Sequence, residues 1–175
     1  ISTAAAALSW MFTEWIVYRR PSILGIASGA VAGLVAITPA AGVASPMGAL
    51  GLGAISGLVC FFSATWLKHR LGYDDSLDVF GVHAVSGILG ALLTGVVASP
   101  ILGGVGFANG ITTLGAQVVV QLIGVGATVC YAGVVTFIIL ELVDAMVGLR
   151  VSEQEEKVGL DVATHNERAY NLMKS

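Results

Sequence analysis

No charged side chain interrupts residues 21–67 of the chain, whose sequence is PSILGIASGAVAGLVAITPAAGVASPMGALGLGAISGLVCFFSATWL. A second uncharged stretch covers residues 79–140, and the charged residues fall before, between and after the two stretches. A helix needs roughly 20 apolar residues to cross a hydrocarbon core about 30 Å thick. Each stretch therefore has room for two crossings, and the apolar run before Arg19 adds an incomplete one.

The composition of the whole chain agrees with this interpretation. Of its 175 residues, 56% are hydrophobic and 11% are charged, whereas soluble domains carry about a quarter of charged residues. Mean hydropathy is +0.89. The alternation over about ten residues that is typical of a membrane β-barrel is absent. The sequence therefore predicts an all-α membrane protein, a bundle of about five transmembrane helices.

We place the helices at about 1–17, 22–38, 47–67, 77–97 and 112–146, so that residues 1–147 form the transmembrane region and residues 148–175 a tail. Because the chain opens in an apolar run without an initiator methionine, we expect it to begin inside a membrane helix. The last helix starts with 29 uncharged residues, about 43 Å at 1.5 Å per residue. It should tilt or project beyond the membrane.

The positive charges indicate the direction of the crossings. The loops after the first and third helices contain four basic residues, whereas residues 38–46 and 99–110 contain no charge. Basic residues concentrate in cytoplasmic loops. We therefore expect a multi-pass protein of the cell (inner) membrane with a cytoplasmic C-terminus.

Glycines recur at a spacing of four residues, as in Gly25, Gly29 and Gly33, and again in Gly53 and Gly57. This spacing places them on one helix face, where a missing side chain lets a second backbone approach closely. We predict a tightly packed bundle.

His83 is the only Asp, Glu, Lys, Arg or His between residues 79 and 140. An ionisable group within a membrane segment is costly, and it usually faces the bundle interior or a cavity on a substrate path. The alternative is a packing role, in which the imidazole is hydrogen-bonded to neighbouring backbone. Position alone leaves both possibilities open.

Asp78 precedes the same helix, and we interpret it as a structural cap whose carboxylate accepts hydrogen bonds from the first free amides. A direct functional role is the alternative. Asp74 and Asp75 are expected to be solvated or to fix the loop. Glu14 and Trp15 are predicted to form an anchor at the membrane interface.

Several other chemistries are disfavoured. His83 and Ser86 share a helix face, but no nucleophile elbow or orienting acid accompanies them, so we do not predict an enzyme. No spacing of His, Cys, Asp and Glu matches a metal site, and we predict no cofactor. Cys60 and Cys130 are interpreted as buried hydrophobes. The chain lacks the basic surface that nucleic-acid binding needs.

Residues 78–87, DVFGVHAVSG, resemble the D-V-F-x-V-H-x-x-x-G segment of the Amt/Mep/Rh ammonium transporters. Residues 8–15, LSWMFTEW, and the tail are similar to the bacterial branch of that family. The tail residues that carry the likeness, and that we predict to be regulatory, are Arg150, Glu155, Glu156, Gly159, Leu160, Asp161, His165 and Tyr170.

The resemblance implies that the chain is the last five helices of an eleven-helix fold, built from two inverted repeats and assembled as a homotrimer in the lipid bilayer. It implies that ammonium loses its proton and that ammonia crosses a hydrophobic pore lined by two paired histidines. His83 matches the second histidine, and Val79 and Val31 match apolar pore-lining positions. The first histidine belongs to the half of the family's fold that precedes these residues.

The tail resembles the segment through which bacterial members respond to PII-type signalling proteins, although Asn166 stands where many relatives have Gly. An alternative function is an ammonium sensor of the same fold that signals through this tail. From its own residues the tail is either a solvated extension or a docked segment, since it combines acidic side chains with several apolar ones.

Overall fold

The structure of the protein, a computed structural model, describes residues 1–108 and 110–167. These residues form helices joined by turns, and none of them lies in a strand. The helices are α1 (Ser2–Tyr18), α2 (Ile23–Ile37), α3 (Pro46–Leu71), α4 (Phe80–Val97), α5 (Leu114–Val147), α6 (Glu153–Val158) and α7 (Leu160–His165). The predicted all-α fold class is confirmed.

Four segments of this structure are long and apolar enough to cross a membrane. They are α2 with its 3₁₀ extension to Ala40, then α3, α4 and α5, with mean hydropathies between 1.8 and 2.2. The chain divides into two compact units, residues 1–128 and residues 129–175, and the division falls within α5. The first unit contains α1 to α4, and the second contains α6 and α7.

Helix α1 packs against α2 and α3 through residues that have little or no side chain. A Cβ atom added to Gly33 would lie 2.7 Å from the carbonyl oxygen of Ser2, and one added to Gly57 would overlap the Ala6 carbonyl group. The Ser2 hydroxyl donates a hydrogen bond of 2.9 Å to the Gly33 carbonyl. Only glycine permits this approach, which brings the backbones into dispersion contact that lipid cannot replace.

Larger side chains also pack between these helices. Trp10 of α1 and Phe61 of α3 meet edge to face with ring centroids 5.7 Å apart, an arrangement that aromatic quadrupoles favour. A second apolar cluster contains Ala36, Leu52 and Val97. The core therefore joins α1, α2, α3 and α4.

The turn between α1 and α2 is closed by a carboxylate. Glu14 accepts hydrogen bonds from the Ser22 N–H at 2.9 Å and from the Ser22 hydroxyl at 2.8 Å. The Ser22 hydroxyl in turn accepts from the Gly25 N–H and caps α2. Glu14 therefore bonds to Ser22 in addition to its predicted position at the membrane interface.

Helix α4 differs from its predicted bounds of 77–97. Asp78 has a φ of 53°, which is left-handed and cannot continue a right-handed helix, so helical structure starts only after it. Two π-helical turns, Ser63–Leu67 in α3 and Phe80–Ala84 in α4, were also not predicted. A π-turn adds one residue to a single turn, and hydrophobic periodicity does not reveal such a local change.

Candidate functional site

His83 lies in the π-helical turn Phe80–Ala84 at the start of α4. Its side chain is exposed, and its imidazole has no hydrogen bond or ion pair with any residue in 1–108 or 110–167. A packing role would require such a bond to neighbouring backbone. The open imidazole therefore favours the functional alternative over the packing one.

The two valines that were predicted to line the passage are also exposed. Val79, in the turn that precedes His83, is 51% exposed, and Val31 of α2 is 36% exposed. Both are apolar side chains that stay partly uncovered. These are the three residues that the sequence analysis assigned to the passage, and all three lie at the surface of the unit.

Helices α2 and α4 are neighbours in a defined register. The Ser86 hydroxyl donates to the Ala32 carbonyl at 2.6 Å, and one turn later a Cβ on Gly90 would overlap the Ala36 carbonyl. Both pairs are 54 residues apart (86 − 32 and 90 − 36), so the two helices run parallel at one offset.

A buried polar cluster lies behind this surface. Ser56, Cys60 and Ser86 are each 0% exposed. The Ser56 hydroxyl lies 3.0 Å from that of Ser86 and 3.1 Å from the Ala32 carbonyl oxygen. The Cys60 thiol lies 3.9 Å from the Val82 carbonyl oxygen. The cluster ties α2, α3 and α4 together, and it was not predicted from the sequence.

The start of α4 corrects the prediction for Asp78. The carboxylate of Asp75, and not that of Asp78, accepts from the first free amides, those of Val79 and Phe80, at 2.8 Å each. The Asp78 carboxylate instead pairs with the Lys68 ammonium group at 2.8 Å. The left-handed backbone of Asp78 explains why Asp75 and not Asp78 is the cap, because N-cap geometry needs an extended backbone.

The described part of the tail is ordered by its own side chains. The Ser152 hydroxyl and backbone N–H both donate to the Glu155 carboxylate, at 2.7 and 2.9 Å, and form a capping box at the start of α6. These hydrogen bonds, that of the hydroxyl first, hold the pKa of the Glu155 carboxyl below its usual value. Arg150 pairs with Glu156 at 3.0 Å.

The remaining predicted tail residues lie close by in the sequence. Gly159 has a φ of 98° and separates α6 from α7, a conformation that glycine permits. Leu160, Asp161 and His165 belong to α7. Asn166 is left-handed with a φ of 53°, which asparagine tolerates better than most residues. Tyr170 lies outside the described residues.

Other candidate sites gain no support from the geometry. The Ser86 hydroxyl is bonded to the Ala32 carbonyl and Ser56, so it is not oriented towards an imidazole. Within 1–108 and 110–167, no group of three His, Cys, Asp or Glu residues could hold a metal ion.

Several helices long and apolar enough to cross a membrane define a class, the multi-pass membrane proteins. A family model described as the Ammonium Transporter Family matches residues 1–170. The chain belongs to this family, and it is therefore a multi-pass membrane protein of a transport family and not of an enzyme family. The resemblance noted in the sequence is confirmed.

Relatives with known names agree with this assignment. The chain is 50% identical over 173 residues to an ammonium transporter of Aquifex aeolicus, covering 98% of the chain and 40% of the relative. It is 42% identical over 172 residues to an ammonium transporter of Bacillus subtilis, covering 97% and 42%. The chain thus spans about two fifths of the length of the curated relatives that it matches.

Solved structures show the same fold. The crystal structure of Candida albicans Mep2 matches 88% of the chain and 35% of its own, with a TM-score of 0.74 and 32% identity. A structure named Sensor Amt Protein matches 93% and 39%, with a TM-score of 0.83 and 25% identity.

Proposed function

We propose that the full-length protein moves ammonium or ammonia across the membrane, and that this chain forms part of the passage. The observation that carries the proposal is the exposed imidazole of His83, which has no hydrogen bond within the described residues and lies in an apolar helix that also exposes Val79 four residues earlier. A charged ion is expensive to place among such side chains, whereas neutral ammonia needs only hydrogen-bonding partners. The surface suits ammonia better than ammonium.

The chemistry of the passage follows from this difference. Ammonium gives up its proton to water at the entrance, before the apolar part, and ammonia crosses beside His83. A neutral imidazole has one donor and one acceptor nitrogen, so it can bond ammonia and a second imidazole at once. We propose that a histidine from the other half of the protein is this second imidazole, and that the other half covers the exposed face of α2 and α4.

The arrangement in the cell is part of the same proposal. We propose that the protein lies in the cell (inner) membrane, that residues 1–147 are its transmembrane region and that residues 148–175 form a cytoplasmic tail. The basic residues in the loops after α1 and in the last turn of α3 support this direction. We further propose a homotrimer, since α5 exposes many apolar side chains that need lipid or protein cover.

The tail residues suit a regulatory contact. In the described part of the tail, Arg150, Glu155, Glu156 and Asp161 are exposed, which gives a charged surface beside the apolar Leu160. We propose that a PII-type signalling protein binds there. The sensor alternative is less well supported, because the relatives at 37 to 50% identity are named as transporters, whereas the neighbour named as a sensor is 25% identical.

The test is flux through the full-length protein in liposomes, followed as a change in internal pH after an ammonium pulse. Replacing His83 by Ala removes the imidazole, and we expect flux to fall about a hundredfold, as for loss of a group that contacts the moving species. His69→Ala is the matched control, because this exposed imidazole lies in the last turn of α3 and is bonded to the Thr65 carbonyl of its own helix, and its loss should leave flux close to that of the wild type.

Two results contradict the proposal in different ways. Equal flux in His83→Ala and wild type removes His83 from the passage. No flux in the wild type itself removes the transport function and leaves the sensor alternative.

A further inference from the structure

The π-helical turn in α4 decides the direction of the His83 side chain. In this turn the Val85 N–H donates to the Phe80 carbonyl, five residues earlier, instead of to the residue four earlier. A return to α-helical bonding would remove the extra residue from the turn and rotate His83 relative to the rest of α4. The imidazole itself has no partner in the described structure to resist that rotation. Its direction therefore depends on whatever holds the backbone.

One contact holds the turn directly before His83. The Cys60 thiol of α3 lies 3.9 Å from the carbonyl oxygen of Val82 and donates to it. Cys60 is 0% exposed and Val82 is 4% exposed, so water does not compete for this carbonyl. A thiol is a weak donor, but Cys60 and Val82 belong to the same buried cluster, so the contact fixes where this part of α4 lies against α3.

A second contact holds α4 one turn after His83. The Ser86 hydroxyl donates to the Ala32 carbonyl at 2.6 Å and shares a hydrogen bond of 3.0 Å with Ser56. Ala32 is the neighbour of Val31, so the bond connects the two sides of the proposed passage. The Ser56 hydroxyl lies 3.9 Å from the Cys60 sulfur, which joins both contacts into one cluster.

The backbone of the π-turn is also fixed from the side. A Cβ on Gly81 would lie 2.9 Å from the Cα of Ala64, within the π-turn of α3. The two π-turns therefore touch backbone to backbone, and the turn in α4 has little room to shift towards α3.

We infer that Ser56, Cys60 and Ser86 are positioning residues, which hold the π-turn of α4 in register and so aim the His83 imidazole into the passage. They do not contact the moving species, since all three are fully buried behind the surface. The inference rests on the proposed function. Side chains that act on a reacting or moving species need supporting groups that fix their direction to within a fraction of an ångström.

The experiment compares ammonium flux with methylammonium flux for each variant of the full-length protein in liposomes. The ratio of the two does not depend on how much protein is folded, so a purely structural loss leaves it unchanged. We expect Cys60→Ala and Ser86→Ala to change the ratio by about threefold or more, because a rotated imidazole alters the fit around one added methyl group. Cys60→Ser keeps a donor for the Val82 carbonyl and should restore the wild-type ratio.

Two control variants separate an effect on the direction of the His83 side chain from an effect on the stability of the protein. Ser9→Ala removes a similar bond between helices, from the Ser9 hydroxyl to the Ala54 carbonyl at 2.7 Å, but it joins α1 to α3 and does not involve α4. Cys130→Ala removes the other cysteine, which is exposed on α5. Both should keep the wild-type ratio, even if Ser9→Ala lowers thermal stability. Should Ser86→Ala not fold, Ser86→Cys replaces it with a weaker donor of similar shape and should shift the ratio in the same direction.

Wild-type ratios in both Cys60→Ala and the Ser86 variant, with flux still dependent on His83, would overturn the inference and leave the proposed function intact. A changed ratio in Cys60→Ala that Cys60→Ser does not restore would also overturn it. Absence of flux in the wild type would instead count against the proposed function, before any variant is compared.

Discussion

Helices α3 and α5 both look like membrane crossings in the sequence, yet they use their glycines in opposite ways. At Gly53 and Gly57 of α3, an added Cβ would overlap the backbone of α1. At Gly124 and Gly126 of α5, it would meet no atom within 4 Å. In the most apolar 18-residue window of each helix, 44% of the residues are buried in α3 and none is buried in α5. Glycine content therefore indicates that a helix can pack closely, and only the partner helix decides whether it does.

The largest effect expected from this difference concerns Gly57. Replacing Gly57 by Val should destabilise the full-length protein by about 3 kcal/mol or more, because the Ala6 backbone cannot move away from the new side chain. Thermal unfolding in detergent measures the loss. Gly126→Val is the matched control, and it should unfold close to the wild-type temperature.

Two results would change this comparison of α3 with α5. If Gly57→Val unfolds like the wild type, the close contact between α1 and α3 is wrong. If Gly126→Val is as damaging as Gly57→Val, then α5 is covered by another part of the assembled protein, which its exposed apolar side chains also allow.

The two cysteines report on the same pair of helices. Cys60 of α3 is buried and Cys130 of α5 is exposed. Alkylation of a buried thiol requires local opening of the structure, so a membrane-permeant maleimide should modify Cys60 about a hundredfold more slowly than Cys130. Mass spectrometry of timed samples gives both rates in one experiment, and similar rates would contradict the buried position of Cys60.

A smaller effect is expected at the start of α4. Replacing Asp75 by Ala removes the acceptor of two amides and should destabilise the protein by about 1–2 kcal/mol, the usual cost of losing a helix cap. Asp78→Ala removes only the ion pair with Lys68, which is partly exposed, and should cost less. The opposite order of the two melting temperatures would restore Asp78 as the cap.

The smallest effect lies in the tail. Because the pKa of Glu155 is lowered in the folded tail, the capping box stabilises α6 above the usual pKa of the carboxyl group and is lost as the pH falls through the lowered value. Ser152→Ala should speed amide hydrogen exchange in residues 153–158 and leave that of α3 unchanged. Unaltered exchange in the tail would show that the capping box does not hold α6.

Much of the fold could be predicted because lipid restricts the chain so strongly. An uncharged run of sufficient length in a bilayer has to be helical, since the backbone must satisfy its own hydrogen bonds. The proposed passage residues rest on two signals, a histidine in an apolar run for His83 and the resemblance to a known family for Val79 and Val31. The cap at Asp75 was missed, since Asp74, Asp75 and Asp78 are chemically alike and only the backbone angle of Asp78 separates them. The signal available for Ser56 and Cys60 was their spacing of four residues, which puts both on one face of α3.

The amino-acid sequence by itself determined that the chain folds into apolar helices and which glycine faces are available for packing. These properties are local, because each depends only on residues within one or two helical turns and on the solvent around them. The tertiary structure alone decided which glycines are in contact, which aspartate caps α4 and how three helices hold the π-turn that carries His83. The polar cluster that holds the π-turn depends on residues 22 to 54 positions apart in the chain that meet only after folding, so no local pattern can encode it.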